Sequence, residues 1–344
     1  MKICHVIGNL SPPLDEGTSK SVVKINEKML DKNIDSFIYT RPCEKSSDEE
    51  FDNTNVYRKD ISPWNILENK RDIKKLNPDI LHIHSSNPLM AIYFDKIHKN
   101  TIWTAPAFRG TEETIKLWEL LCRNQKTVAT SRKIAGSIPR EVEVLPYGID
   151  TDKYRCKRKP EISENPKILF MSSPKEKRGF KAAIRIVKKI KEEKNPDFHV
   201  AVREKYNRVD KAKKTLEEEG LSDISHVTGF VKDLPSYFNK MDVVLYPVKS
   251  SSGFTSPPLI ALESMSCGRI TVCTDVKDFL EVIDDGKDGL IYSYGEESQI
   301  ANRLLNMDDR KTNEMSKKAR EKIKEKFSLE KTVQRYIEIY KEIL

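Results

Sequence analysis

Short runs rich in β-branched and aromatic residues alternate along most of the chain with amphipathic stretches of helical spacing. In the first half the runs are KICHVIG, DSFIYT, DILHIH, TIWTA, TVATS and EVEVLP; in the second they are KILFMS, FHVAV, ISHVTG, DVVLYP, RITVCT and GLIYS. Apolar strands separated by helical segments predict parallel sheets covered by helices on both faces, an α/β architecture with doubly wound domains. Between the two series lies TDKYRCKRKPEISENPK, charged, proline-bearing and without periodicity. It reads as an interdomain linker.

Several helices can be placed from spacing alone. Phe180, Ala183, Ile184, Val187 and Ile190 fall on one face directly after the loop SSPKEKRG. In SPPLIALESMSCG, Ser256 is placed as N-cap, Pro257 at the first helical position and Gly268 as the stop. The tail from Ser328 repeats Leu329, Val333, Tyr336, Ile337, Tyr340 and Leu344, a closing helix with one buried stripe.

A chain of 344 residues is long for one core, so two domains are expected. Its 38% hydrophobic and 33% charged residues are those of a soluble globular protein rather than a disordered one. MKICHVIGNLSPPLDEG has no apolar stretch followed by a small-residue cleavage site, so no signal peptide is expected, and no apolar run approaches the ~20 residues that span a bilayer. The six cysteines, Cys4, Cys43, Cys122, Cys156, Cys267 and Cys273, are scattered without CxxC pairs and read as reduced, mostly buried thiols. Together these point to the cytoplasm.

Net charge is +8, and a cut after Arg158 leaves +4 on each side. An excess spread this evenly gives no support to nucleic-acid binding. It is compatible with phosphorylated substrates and with peripheral contact at an anionic membrane face. In ETIKLWELLCRNQK, Ile115, Trp118, Leu121 and Cys122 stand beside Lys116, Arg123 and Lys126, a pattern that a core helix explains and that also suits a bilayer surface.

Two doubly wound halves would suit a dehydrogenase, but KICHVIG is followed by NLSPPLDEGTSK and not by a G-x-G-x-x-G turn. The chain instead resembles glycosyltransferase family 4, the retaining GT-B enzymes also called group 1 glycosyltransferases. The resemblance runs over nearly the whole length, in VATSRKI with VLPYGIDTDKYR, GFVKDLPSYFNKMDVVLYP, SPPLIALESMSCGRITVCTDV, DDGKDGLIY and RYIEIYKEIL. It implies an N-terminal acceptor-side domain over 1–157, a nucleotide-sugar-binding domain over 158–327, and a closing helix over 328–344 that packs back on the first. The two domains are expected to face each other across a cleft.

The resemblance also assigns roles. A leaving diphosphate gains charge as its glycosidic bond breaks, and backbone N–H groups at a helix start together with fixed cations stabilise it. SSPKEKRG supplies Lys175, Lys177 and Arg178. The family's Arg position reads Ser173 and its Lys position Arg178, so Arg178 with Lys177 or Lys175 is expected to meet the diphosphate. Of the family's two glutamates eight residues apart, Glu263 matches the second and is expected to accept hydrogen bonds from the ribose. The first position reads Thr255, or Ser252 in a gapped alternative, neither acidic. Thr255 and Ser256 are assigned to sugar or phosphate contacts, and the backbone at Phe230 and Val231 to the base.

On the acceptor side the resemblance selects Gly17 and Thr18 in the small-residue loop before the first helix, His84 at a strand end, and Arg109; a further family histidine is replaced by Ala105. The co-substrates implied are a nucleotide sugar and a glycan or lipid-linked acceptor. No cofactor and no metal are expected, since no DxD-like or His/Cys cluster stands where one would be wanted. Two rivals stay open: a catalytically degenerate GT-B protein that binds nucleotide sugar without turnover, and a sugar-nucleotide epimerase.

Overall fold

The computed structural model describes residues 1–10, 17–43, 54–107, 111–202, 207–250 and 255–344. The chain divides into two compact units, one formed by Met1–Gly148, Phe254–Pro257 and Leu329–Leu344, the other by Ile149–Gly253 and Pro258–Ser328.

The first unit begins with β1 (Lys2–Ile7), α1 (Gly17–Asp31), β2 (Asp35–Thr40), β3 (Val56–Arg58) and α2 (Ile66–Leu76). It continues through β4 (Ile80–His84), α3 (Pro88–Asp95), β5 (Thr101–Ala105), α4 (Glu112–Leu121), β6 (Lys126–Ala129), α5 (Arg132–Ala135) and β7 (Glu143–Val144). All pairings are parallel, in the order β3-β2-β1-β4-β5-β6-β7. Every residue of β4 and β5 is buried, which requires cover on both faces of the sheet. Trp103 of β5 meets Trp118 of α4 edge-on at 4.9 Å in this core. Of the apolar stripe read along this segment, Ile115, Trp118 and Cys122 are buried in this core, whereas Leu121 is exposed.

The second unit runs β8 (Lys167–Met171), α6 (Phe180–Lys191), β9 (Asp197–Ala201), α7 (Arg208–Glu218), β10 (Ser225–Thr228), α8 (Leu234–Lys240) and β11 (Val243–Tyr246). It ends with α9 (Leu259–Ser266), β12 (Ile270–Thr274), α10 (Lys277–Leu280), β13 (Leu290–Tyr292), α11 (Glu297–Leu305) and α12 (Asp309–Lys326). Its sheet is again wholly parallel, in the order β10-β9-β8-β11-β12-β13. The last helix, α13 (Leu329–Ile343), belongs to the first unit. It lies against α1 and buries Val333, Tyr336 and Tyr340; the Arg335 guanidinium grips both carboxylate oxygens of Glu143, at 2.6 and 2.9 Å. Among the described residues no helix is long and apolar enough to cross a membrane. None of the six cysteines is in a disulfide.

Three local expectations are corrected. The strand β3 has only three residues, too short for periodicity to reveal, and forms the edge beside β2. The charged stretch after Gly148 is no bare linker: Tyr154 and Ile162 are buried, and Arg158 pairs with the buried carboxylate of Asp242 at 2.6 Å. The SPPLIALESMSCG helix starts later than its serine suggested. Pro258 is the N-cap, Leu259 the first helical residue, and the Ser256–Pro257 peptide before it is cis. Its end follows the sequence: Gly268 has φ +70, and its N–H and that of Arg269 close on Met265 and Ser264 in a Schellman-type stop.

Candidate functional site

In the second unit β8 and β11 are neighbours, and the connection leaving β8 runs to β9 on one side while that leaving β11 runs to β12 on the other. Such a switch point opens a crevice beyond the carboxyl ends of the strands, the usual ligand position in doubly wound sheets. The residues at this point are those after Met171 on β8 and those at Tyr246 on β11.

The β8 loop runs Ser172, Ser173, Pro174 and Lys175 into a 3-10 turn over Glu176–Arg178, then Gly179 and α6. Gly179 takes the left-handed conformation, φ +83, and packs against the backbone of Pro247 just beyond β11. The N–H of Lys249 donates to the carbonyl of Lys177 at 3.3 Å, a second tie between the two loops. Lys175 and Lys177 point to solvent, while Arg178 and Ser173 are half-buried. Burial disfavours the Arg178 cation, and the neighbouring Tyr246 acts in the opposite direction.

Glu263, in the middle of α9, is 2% exposed, so it is not the solvated helix glutamate that its position on a surface helix would give. A buried carboxylate is costly unless it is hydrogen-bonded or paired. The hydroxyl of Tyr154 bonds to it; burial is the larger cause, and Glu263 the next, of that phenol's strongly raised pKa. Tyr246 also senses Glu263 and Arg178, the first raising and the second lowering its pKa beneath a dominant burial effect. One buried phenol thus stands within electrostatic reach of both the cation and the carboxylate. Tyr154 is fixed in turn, for its carbonyl accepts from Ser266 Oγ at 2.6 Å and from the Arg320 guanidinium at 2.9 Å.

Phe230 and Val231 follow the carboxyl end of β10 at the outer edge of the same sheet, with Phe230 51% exposed. Thr255 and Ser256 belong instead to the first unit. Ser256 is no N-cap. Its N–H donates to Pro106 at 3.1 Å, its carbonyl accepts from the Thr130 hydroxyl, and its hydroxyl shares a hydrogen bond with that of Ser131 at 2.8 Å. Those bonds engage the backbone and hydroxyl of Ser256, the groups expected to meet sugar or phosphate at that residue.

Of the acceptor-side residues, Gly17 and Thr18 are the first two positions of α1, inside the helix rather than in a loop before it. Arg109 and Ser252 lie outside the described residues. His84 ends β4 at the first unit's own switch point, between β1 and β4, yet it is buried. Its Nδ1 bonds to the Tyr147 hydroxyl at 3.0 Å and its Nε2 to His5 Nδ1 at 3.1 Å, a packed histidine rather than one open to ligand. His82 bonds to the Tyr340 hydroxyl and to Thr104 Oγ1, both at 2.7 Å, and Thr104 to Tyr336 at 3.1 Å.

His5, His82 and His84 bring ligand-type atoms within 4.8 Å of one another, a cluster that the sequence reading did not find. His82 and His84 use both ring nitrogens in hydrogen bonds within the chain, and His5 uses one. A metal would have to displace those bonds. Burial pushes His5 down to about 3 and holds His82 and His84 well below the usual imidazole range, with neighbouring histidines adding to the effect on both. The cluster therefore works as a neutral hydrogen-bonded core that docks α13.

Comparison with known proteins bears on the family and on the fold. The family described as glycosyl transferases group 1 matches residues 152–326. The N-acetyl-alpha-D-glucosaminyl L-malate synthase of Bacillus anthracis is 33% identical over 88 residues, 25% of this chain and 23% of that protein. The matched stretches cover less than a third of the length of the curated relatives. A glycosyltransferase from Rickettsia africae ESF-5 superposes with a TM-score of 0.82 at 16% identity, covering 99% of this chain and 98% of that one. Anabaena Alr3699/HepE, solved in complex with UDP, gives 0.81 at 14% identity, covering 99% and 100%. At such identities the superpositions establish the fold, two Rossmann-like parallel-sheet domains of the GT-B kind. With the family matched across half of its length and both sheets wound as that fold requires, the chain belongs to the group 1 glycosyl transferases.

Proposed function

We propose that the chain transfers a hexose-type sugar from a nucleotide-sugar donor to a glycan or lipid-linked acceptor, with retention of anomeric configuration. The observation that carries this reading is the placement of Arg178 and Glu263 around Tyr246 at the carboxyl ends of β8 and β11. Arg178, with Lys177 and Lys175 beside it, meets the diphosphate, while Glu263, held by Tyr154, accepts from the ribose hydroxyls. Phe230 and Val231 border the base. Acceptor binding falls to the first unit, and the diphosphate charge is met by these cations without a divalent ion. Anabaena HepE, of the same fold, is solved with UDP-glucose, which supports a nucleotide sugar as donor.

In the transfer step the acceptor hydroxyl oxygen bonds to the anomeric carbon on the face from which the diphosphate leaves. The bond from that carbon to the phosphate oxygen breaks, and the hydroxyl proton passes to the leaving phosphate. No protein nucleophile is needed; positioning and charge stabilisation lower the barrier.

A second reading, nucleotide-sugar binding without turnover, is favoured by Ser173, Thr255 and Ala105 at positions where the family carries an arginine, a glutamate and a histidine. Incubation with a panel of labelled nucleotide sugars, in EDTA and with lipid-linked and glycan acceptors, separates the readings. Acceptor-dependent release of nucleoside diphosphate supports transfer. Binding with neither transfer nor hydrolysis supports the inactive protein, and a donor isomer formed without acceptor identifies an epimerase.

A further inference from the structure

The helix α2 has two faces of opposite character. Asn69 and Ile73 are buried, and Ile66 and Leu76 pack against the core of the first unit. The outer stripe runs Trp64, Leu67, Arg71 and Lys74, spaced three, four and three residues apart, with Trp64 supplied by the 3-10 turn Pro63–Asn65 that leads into the helix. Trp64 is 91% exposed and Leu67 71%. Such exposure of a tryptophan beside a leucine is unusual on a surface that meets only water.

The other half of the stripe is cationic. Lys70, Arg71, Lys74 and Lys75 are all exposed, and among the described residues none lies within ion-pair distance of a carboxylate. Asp72, on the same helix, is taken by Lys59 at 3.1 Å, and Glu68 is the one exposed acid between Trp64 and Lys75. The helix start follows the carboxyl end of β3, the end of the sheet from which the β1–α1 connection also departs. Arg58 of β3 ties these two places together, donating to the carbonyl of Leu10 at 2.9 Å.

We propose that this outer face of α2 with Trp64 docks on an anionic lipid bilayer, the helix lying in the plane of the interface. An apolar end that enters the headgroup region and a cationic end that meets anionic phosphates are the two components of interfacial binding, and tryptophan is the side chain best suited to that boundary. Docked there, the first unit turns the ligand-binding end of its sheet towards molecules held in the membrane, a position that suits the lipid-linked acceptor of the proposed function. The surface itself does not depend on that function.

Trp103 and Trp118 are buried, so a change in tryptophan emission on adding vesicles reports Trp64. The full chain is to be mixed with phosphatidylglycerol-containing vesicles or with pure phosphatidylcholine vesicles and followed by co-sedimentation and emission. Binding to the anionic vesicles with a blue shift is expected, weakened by salt, and reduced at least tenfold by Lys70→Glu/Lys74→Glu or by Trp64→Ala/Leu67→Ala. Circular dichroism of these surface variants at wild-type values establishes that folding is intact. No binding to anionic vesicles, or binding that neither variant weakens, overturns the proposal; a surface made for a protein partner gives the first of these results. The readout is lipid binding and not sugar transfer, so failure here leaves the donor site untouched.

Discussion

The Cα of Gly179 lies so close to Pro247 that a Cβ built on it would stand 1.8 Å from the carbonyl oxygen of that residue. At φ +83 the position also disfavours any L side chain. This contact holds the cationic loop after β8 against the end of β11. Gly179→Ala is expected to destabilise the second unit by about 2 kcal/mol or more, since both a positive φ and a backbone clash must be relieved. Urea unfolding measures it, and a loss below ~0.5 kcal/mol would mean that the loops are not packed in this way.

Tyr154 offers a finer test. Tyr154→Phe keeps the ring in its buried place and removes only the hydroxyl that bonds to Glu263. The carboxylate then loses a partner, and donor binding is expected to weaken roughly fivefold, the equivalent of about 1 kcal/mol for one hydrogen bond. Calorimetric titration with the preferred nucleotide sugar gives the comparison. Unchanged affinity in the Phe variant would show that the hydroxyl does not hold the carboxylate for the ligand.

Much of the fold was legible because parallel strands buried on both faces leave dense apolar runs; every run picked out by composition became a strand in one of the two sheets. The exception, Val56–Arg58, is an edge strand of three residues and leaves no such trace. Of the candidate site, Arg178 and Glu263 were singled out through family spacing alone, since nothing in local propensity tells a buried helix glutamate from a solvated one. Tyr246 and Tyr154 were missed although both stand in quoted motifs, one as the last residue of a strand and the other in GIDTDKYR. The histidine core was partly readable: His82 and His84 alternate on one face of β4. Its third member, His5, becomes visible only in the register that sets it opposite His82. Ser256 misled because a serine before prolines imitates a helix start, while its hydrogen bonds go to Pro106, Thr130 and Ser131.

The same histidines predict how the first unit responds to acid. Their folded-state pKa values lie below the ordinary 6.5, His5 at about 3, so the unfolded chain takes up protons that the native state refuses. Their contribution is fully present above pH 6.5 and is lost as pH falls towards the folded values. The slope can reach about 4 kcal/mol per pH unit if all three respond, from roughly 1.4 kcal/mol for each. Urea midpoints between pH 7.5 and 5 are expected to fall steeply, in a range where ordinary carboxylates remain ionised. A flat profile there would mean that the imidazoles are already charged or are exposed.

The most direct test of the account is calorimetric binding of nucleoside diphosphates to the wild-type chain, Arg178→Ala and Glu263→Gln. At least one of UDP, GDP and ADP is expected to bind the wild type. Each variant should weaken that binding about tenfold or more, because a charge-assisted contact is worth roughly 1.5–3 kcal/mol, with circular dichroism unchanged. Wild-type affinity retained in both variants would contradict the assignment of the nucleotide to the carboxyl ends of β8 and β11.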